Sequence, residues 1–390
     1  MTAALRSLDL IRELVSFDTT SRNSNLPLID HVERYLTGFG VACERVYDET
    51  GEKANLYATL GPTDRGGIVL SGHVDTVPVD GQDWTVPPFA VTEKDGRLYG
   101  RGTTDMKGFV AICLAYVPVF LERGLETPIH LAISHDEEVG CLGVRSLLHK
   151  LAGRDVRPAL CIVGEPTSMQ PVVAHKGKWS YRVTVRGREC HSSLAPQGVN
   201  AVEYAAEAVT FLRRMAREFR ESGARDELFD LPHTTVHVGS LHGGTVVNIV
   251  PQEAVFDFEF RYLPQDDPQA IFDRFMAFVT NELEPEMKAV DPAAGFEVVL
   301  RSEIPGLNTS PEHEVVGLAR ALAERNDHGK VAYGTEGGLF QEIAGIPTVV
   351  CGPGDIAQAH KPDEFITLDQ VARGEAFMQR LADRVCLRAR

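Results

Sequence analysis

At 390 residues, 43% hydrophobic and 24% charged, the chain has globular composition and enough length for two compact domains. Its net charge of -16 is spread along the sequence, which argues against a nucleic-acid or anionic membrane partner. The opening MTAALRSLDLIRELVSF carries no signal-peptide core, and no run approaches the roughly 18 apolar residues of a membrane span. Seven cysteines without a CxxC pair lead us to expect a cytoplasmic protein with reduced thiols.

In chain order, Leu8, Ile11, Leu14 and Val15, then Leu28, Ile29, Val32, Tyr35 and Leu36, recur at helical spacing and predict two amphipathic helices. NLYATL and GIVLSGHVD read as buried strands. The segment after Asp105, MKGFVAICLAYVPVFLERG, reads as a helix with a kink at Pro118. PIHLAISHDEE is then a strand, GVRSLLHKL a helix and PALCIVGEP a strand. This alternation predicts an α/β domain, a sheet with helices on both faces.

After Lys178 the pattern becomes strand, helix, two strands, helix, strand, ending with GFEVVLRSEI. That order is a ferredoxin-like α+β unit. It reads as an insertion, because helix and strand alternation resumes in EHEVVGLARALAERN, GIPTVVCGP and LDQVARGEAFMQRLADRV. The expected division is a catalytic domain of 1–179 plus 305–390 and a lid of 180–304.

Five segments carry acids or histidines where apolar strands run out: SGHVDTVP, RGTTDMKG, SHDEEVG, IVGEPTS and AQAHKPDE. Ligands in such sheets bind at the carboxyl ends of strands, so these loops can share one crevice. Imidazoles and carboxylates without nearby cysteine suit a catalytic divalent-ion site. His73 and Asp75 lie two apart, so Asp75 can hold the second ring nitrogen of His73. Adjacent Glu137 and Glu138 cannot do one job: one can bind metal while the other reaches the attacking water. Taken singly, each feature has a plainer reading: a strand end, a solvated acid pair, a helix cap at Asp105, a loop acid at Glu165, a loop histidine at His360.

In this order and spacing, the five segments resemble the zinc-dependent amidohydrolases that include aminoacylase, succinyl-diaminopimelate desuccinylase and carboxypeptidase G, over essentially the whole chain. The resemblance implies that His73, Asp105 and Glu165 hold one zinc and Asp105, Glu138 and His360 the other, cobalt being an alternative. It implies Glu137 as general base towards a water shared by the ions. It also implies homodimerisation through the lid, with His191 of ECHSSLAP reaching the partner's site, and Asn248 and Arg261 binding substrate. Arg261 suits a carboxylate because guanidinium binds it bidentately.

GEPTSMQPVVAHKG, YGTEGGLF and CGPGDIAQAHKPDEF resemble the acetylornithine deacetylase branch of that family, which serves arginine biosynthesis. A desuccinylase carries an arginine in its glycine-rich loop, where this sequence has Leu339 with Glu336 close by. An acid there can pair with the δ-ammonium of an N-acetylornithine, while a succinyl carboxylate would be repelled. Glu336 can equally be a helix-start acid. The alternatives are a family hydrolase of N-acetylcitrulline, N-succinyl-diaminopimelate or a dipeptide, a non-catalytic binder, and an acetyltransferase. The binder should have lost a ligand or the base, and the transferase would need a nucleophile set beside a base.

Overall fold

A computed structural model describes residues 3–387. The chain divides into one compact unit of Met1–Ala174, Leu307–Lys330 and Thr335–Arg390, and a second of His175–Gly306 with Val331–Gly334. The segment 180–304 expected as a lid lies within the second unit, which begins five residues earlier and ends two residues later.

The first unit is built on a nine-stranded sheet. Its path runs Cys43–Tyr47, Ala54–Leu60, Ile129–Ser134, Ile68–His73, Leu160–Pro166, Thr348–Gly352, Val172–His175 and Leu307–Asn308, with Gly329–Val331 paired to Val172–His175 off the path. At its centre Ile129–Ser134, Ile68–His73, Leu160–Pro166 and Thr348–Gly352 run parallel, while the outer pairs are antiparallel. Successive side chains on a strand point to opposite faces. A Cβ at Gly72 would lie 2.8 Å from Met106 and 3.0 Å from Val110, whereas Ser71 turns the other way, towards Glu336. Helix Lys107–Arg123 therefore covers one face, and the start of Gly337–Ala344 reaches the other. Coverage on both sides explains why Ile68–His73 and Ile129–Ser134 are buried throughout.

Helix Lys107–Arg123 carries Pro118 inside it. The strand expected to reach Glu138 ends at Ser134. Asp136 takes a left-handed backbone at φ 54°, which a non-glycine residue adopts at some cost and which turns the chain out of the sheet. Unforeseen was the hairpin Thr92–Lys94 and Arg97–Tyr99, joined by Asp95 and Gly96 at φ 52° and 71°, the left-handed pair a two-residue turn requires. Phe365–Thr367 completes this three-stranded sheet.

The second unit has four antiparallel strands in the order Thr235–Gly243, Glu253–Tyr262, Gly177–Arg186, Gly295–Ile304, the ferredoxin-like arrangement. On Glu253–Tyr262, alternate residues Ala254, Phe256, Phe258, Phe260 and Tyr262 are buried, and they meet Ala205, Leu212, Ile271 and Phe275 from the helices in one apolar core. The second helix of this unit is long and irregular. Pro268–Phe278 continues through a wide turn at Val279–Leu283 into Glu284–Val290. Pro285 lacks the N–H that an α ladder needs, and buried Val279, Leu283 and Met287 keep the extension on the core.

Candidate metal centre

The first unit brings the seven expected groups of the centre together just beyond the carboxyl ends of the parallel strands. His73 ends one strand, Glu165 lies at the end of another, and Glu137 and Glu138 follow Ser134. His360, at φ 62°, follows the strand ending at Gly352, and Asp105 precedes helix Lys107–Arg123. Asp105 does not cap that helix, since Met106 holds the cap position. Its two oxygens diverge: Oδ1 lies 3.1 Å from His73 Nε2 and Oδ2 3.2 Å from His360 Nε2. Glu165 Oε1 lies 3.7 Å from His73 Nε2, and Glu138 Oε2 lies 3.0 Å from His360 Nε2. One ligand atom each from His73, Asp105 and Glu138 fall within 4.8 Å of one another, and so do those of His73, Glu137 and Glu165.

Asp75 organises this cluster from below. His73 Nδ1 lies 3.0 Å from the Asp75 backbone oxygen and 3.4 Å from its carboxylate, leaving Nε2 for a ligand role. The Asp75 carboxylate accepts the backbone N–H groups of Glu137 and Glu138 at 3.1 and 3.2 Å and the Ser21 hydroxyl at 2.8 Å. One buried acid thus fixes both a histidine and the loop carrying two glutamates.

Glu336 occupies the cap position of helix Gly337–Ala344 without capping it and is 1% exposed. Its Oε2 accepts from Ser71 at 3.3 Å, and burial pushes its carboxyl above the usual range. That setting lies behind strand Ile68–His73, with the other oxygen, Oε1, buried and without a hydrogen-bond partner among the described residues. In the second unit His191 is exposed and caps the turn Ser192–Gln197, its Nδ1 accepting from the Ser193 N–H. Asn248 is exposed on the neighbouring loop, its carbonyl accepting from the Ser192 N–H. Arg261 is engaged by Glu259, two residues back on its own strand, at 3.0 Å.

Residues 69–384 match the family described as peptidase family M20/M25/M40. The chain belongs to this family. It is 34% identical over 387 residues to the acetylornithine deacetylase of Proteus mirabilis, covering 97% of each chain. It is 36% identical over 383 residues to that of Myxococcus xanthus, covering 96% of each. Among solved structures, an M20 family metallo-carboxypeptidase from Sulfolobus solfataricus aligns with a TM-score of 0.74 at 19% identity, over 96% of this chain and 98% of that one. A dinuclear metal binding peptidase of the M20 family from Bacillus subtilis aligns at 0.67 and 15% identity, over 97% of each.

The electrostatics of this M20 centre ask for cations. Burial, reinforced by Asp105, lifts the Glu165 carboxyl well above its usual range, and burial with Glu138 and Asp105 nearby pushes Glu137 up to about 8. Burial also favours a protonated Asp105, but hydrogen bonds from His360 and His73 outweigh it and hold the carboxyl below the usual range. Crowded acids that resist ionisation together, around two imidazoles presenting Nε2, are a donor set that divalent ions such as zinc or cobalt fit.

Several contributors escaped the sequence reading. Glu364 stood in the quoted HKPDE string without a role, and it proves to hold the backbone of the Asp105 loop. Cys141, whose thiol burial keeps protonated, donates to Glu137 Oε1 at 3.3 Å. Neither that thiol nor Ser21 carries a local motif that would have marked it.

Proposed function

We propose that the chain hydrolyses the amide of N2-acetyl-L-ornithine to ornithine and acetate, with Glu137 as general base at a two-ion centre. The divergence of Asp105 Oδ1 and Oδ2 towards two histidines carries the two-ion reading. His73, Asp105 and Glu165 would hold one ion, and Asp105, Glu138 and His360 the other. Bound ions polarise the amide carbonyl and acidify the attacking water. Glu137 accepts that water's proton as its oxygen joins the carbonyl carbon, then delivers the proton to the amine nitrogen as the C–N bond breaks. The neighbouring loop exposes Val247 at 99% together with Val246 and Ile249, which supports association through the second unit and a trans role for the adjacent His191. Mixing inactive His191→Ala and Glu137→Ala chains should then restore part of the activity.

The substrate rests on the names of the relatives, and the placement of Glu336 favours a second reading, a hydrolase tolerant of neutral side chains such as N-acetylcitrulline. Turnover of N-acetylornithine, N-acetylcitrulline, N-acetylmethionine and N-succinyl-diaminopimelate decides between them. A strong preference for N-acetylornithine that Glu336→Gln selectively removes would restore Glu336 as the specificity acid. Equal loss on acetylornithine and acetylcitrulline would assign Glu336 to support of the centre.

A further inference from the structure

The loop Gly100–Met106 carries Asp105 and has no regular structure of its own, yet Asp105 must hold its two oxygens at fixed angles. Its backbone N–H groups converge on one carboxylate. Glu364 Oε1 accepts from Gly102, Thr104 and Asp105 at 3.0, 3.0 and 3.1 Å, while Oε2 accepts from Arg101 Nη1 at 2.7 Å. The Glu364 backbone oxygen accepts from the Gly100 N–H at 2.9 Å, and Thr104 Oγ1 donates to the Phe365 carbonyl at 3.0 Å. Glu364 is also four residues from His360. The other face of the Arg101 guanidinium reaches Gln82, with Nη2 donating to Oε1 at 2.6 Å, and Gln82 Nε2 donates to the His360 backbone oxygen at 3.1 Å. Trp84 lies over the guanidinium at 5.1 Å. Arg101 and Glu364 are each 1% exposed.

A buried ion pair gives little net stability, because desolvating both charges offsets their attraction. What this one delivers is geometry: one connected network fixes the main chain at Asp105 and at His360. We infer that Glu364, with Arg101 and Gln82, is a positioning element that sets the spacing of Asp105 and His360 and so the affinity of the ion they share. The inference rests on the two-ion reading above.

The test is calorimetric titration of metal-free chain with Zn²⁺, alongside the visible absorption of the Co²⁺-loaded form, for wild type, Glu364→Gln and Gln82→Ala. Glu364→Gln turns an amide towards three N–H donors and should weaken the second ion roughly 10- to 100-fold and shift the Co²⁺ bands. Excess metal should restore much of the lost turnover while KM stays near wild type. Gln82→Ala, a half-exposed position that leaves the core intact, should shift both readouts in the same direction by less, and it decides the matter if Glu364→Gln fails to fold. Variants that bind two ions as tightly as wild type with unchanged Co²⁺ bands overturn the inference, even with a lowered Tm. Wild type binding fewer than two ions overturns the two-ion reading and this inference with it.

Discussion

Asp105 shows how much one residue is asked to do. Its carboxylate stays ionised in a buried place because two imidazoles donate to it, and ions in place of those protons would meet the same two oxygens. The adjacent glutamates divide by direction: Glu138 faces His360, whereas Glu137 joins the His73 and Glu165 group and takes the Cys141 thiol. Glu137→Ala should therefore retain two ions and lose about 10²- to 10⁴-fold in kcat, the usual worth of a general base. Glu138→Ala should lose an ion. Metal content by elemental analysis beside kcat separates the two, and an active Glu137→Ala would refute the base assignment. At this scale the candidate site was legible because ligand types sat at strand ends. The placement of Glu336 was not, since a glutamate before a glycine-rich helix start reads the same whether its carboxylate turns to Ser71 or to a substrate. Glu364 was hidden for a related reason: besides the distant Arg101, its side-chain partners are backbone N–H groups, which every sequence has.

Among elements, the buried parallel strands declare themselves by continuous apolar runs, and the helices by their spacing. Strands of two to five residues, such as Leu307–Asn308 or Cys43–Tyr47, lack the length for a period to appear. The Asp95-Gly96 turn, by contrast, carries a local signal, an Asp-Gly pair suited to two left-handed residues. The contact between Leu160–Pro166 and Lys107–Arg123 is tight enough to predict from. A Cβ at Gly164 would fall 2.1 Å from Phe109, so Gly164→Ala must displace the helix or the strand end holding Glu165. Overpacking of this kind costs roughly 1–3 kcal/mol. Urea unfolding should show that loss together with weakened metal binding, and a variant matching wild type in both would show the helix yields freely.

For the whole molecule, removing metal should make stability depend on pH in a stated direction. Asp105 and Glu138 raise His360 to about 10, and burial raises Glu137 to about 8; both folded values lie above the ordinary ones. Each group's contribution is thus complete below its ordinary pKa, about 6.5 for histidine and about 4.3 for glutamate, and is lost as pH rises through the folded value. Chelated protein should melt at progressively lower temperature from about pH 4 to pH 10, while loaded protein, with ions in place of those protons, should change much less. Metal affinity should rise over the same interval, with protons released on binding; a flat chelated profile would contradict the charge crowding at the centre. All seven cysteines are free, so no disulfide complicates such melts, and no helix among the described residues is long and apolar enough to cross a membrane. The inserted unit leaves the chain where it came in: a Cβ at Gly306 would touch the Gly177 nitrogen and the His175 oxygen, each at 3.1 Å, and on the other unit the Thr309 N–H donates to the Val173 carbonyl at 2.9 Å. Because the two breaks nearly coincide, a graft at this point demands almost no loop closure. The segment His175–Gly306 is in effect a cassette, and replacing it with another compact fold whose termini meet is a route to redesigning the protein around an unaltered metal centre.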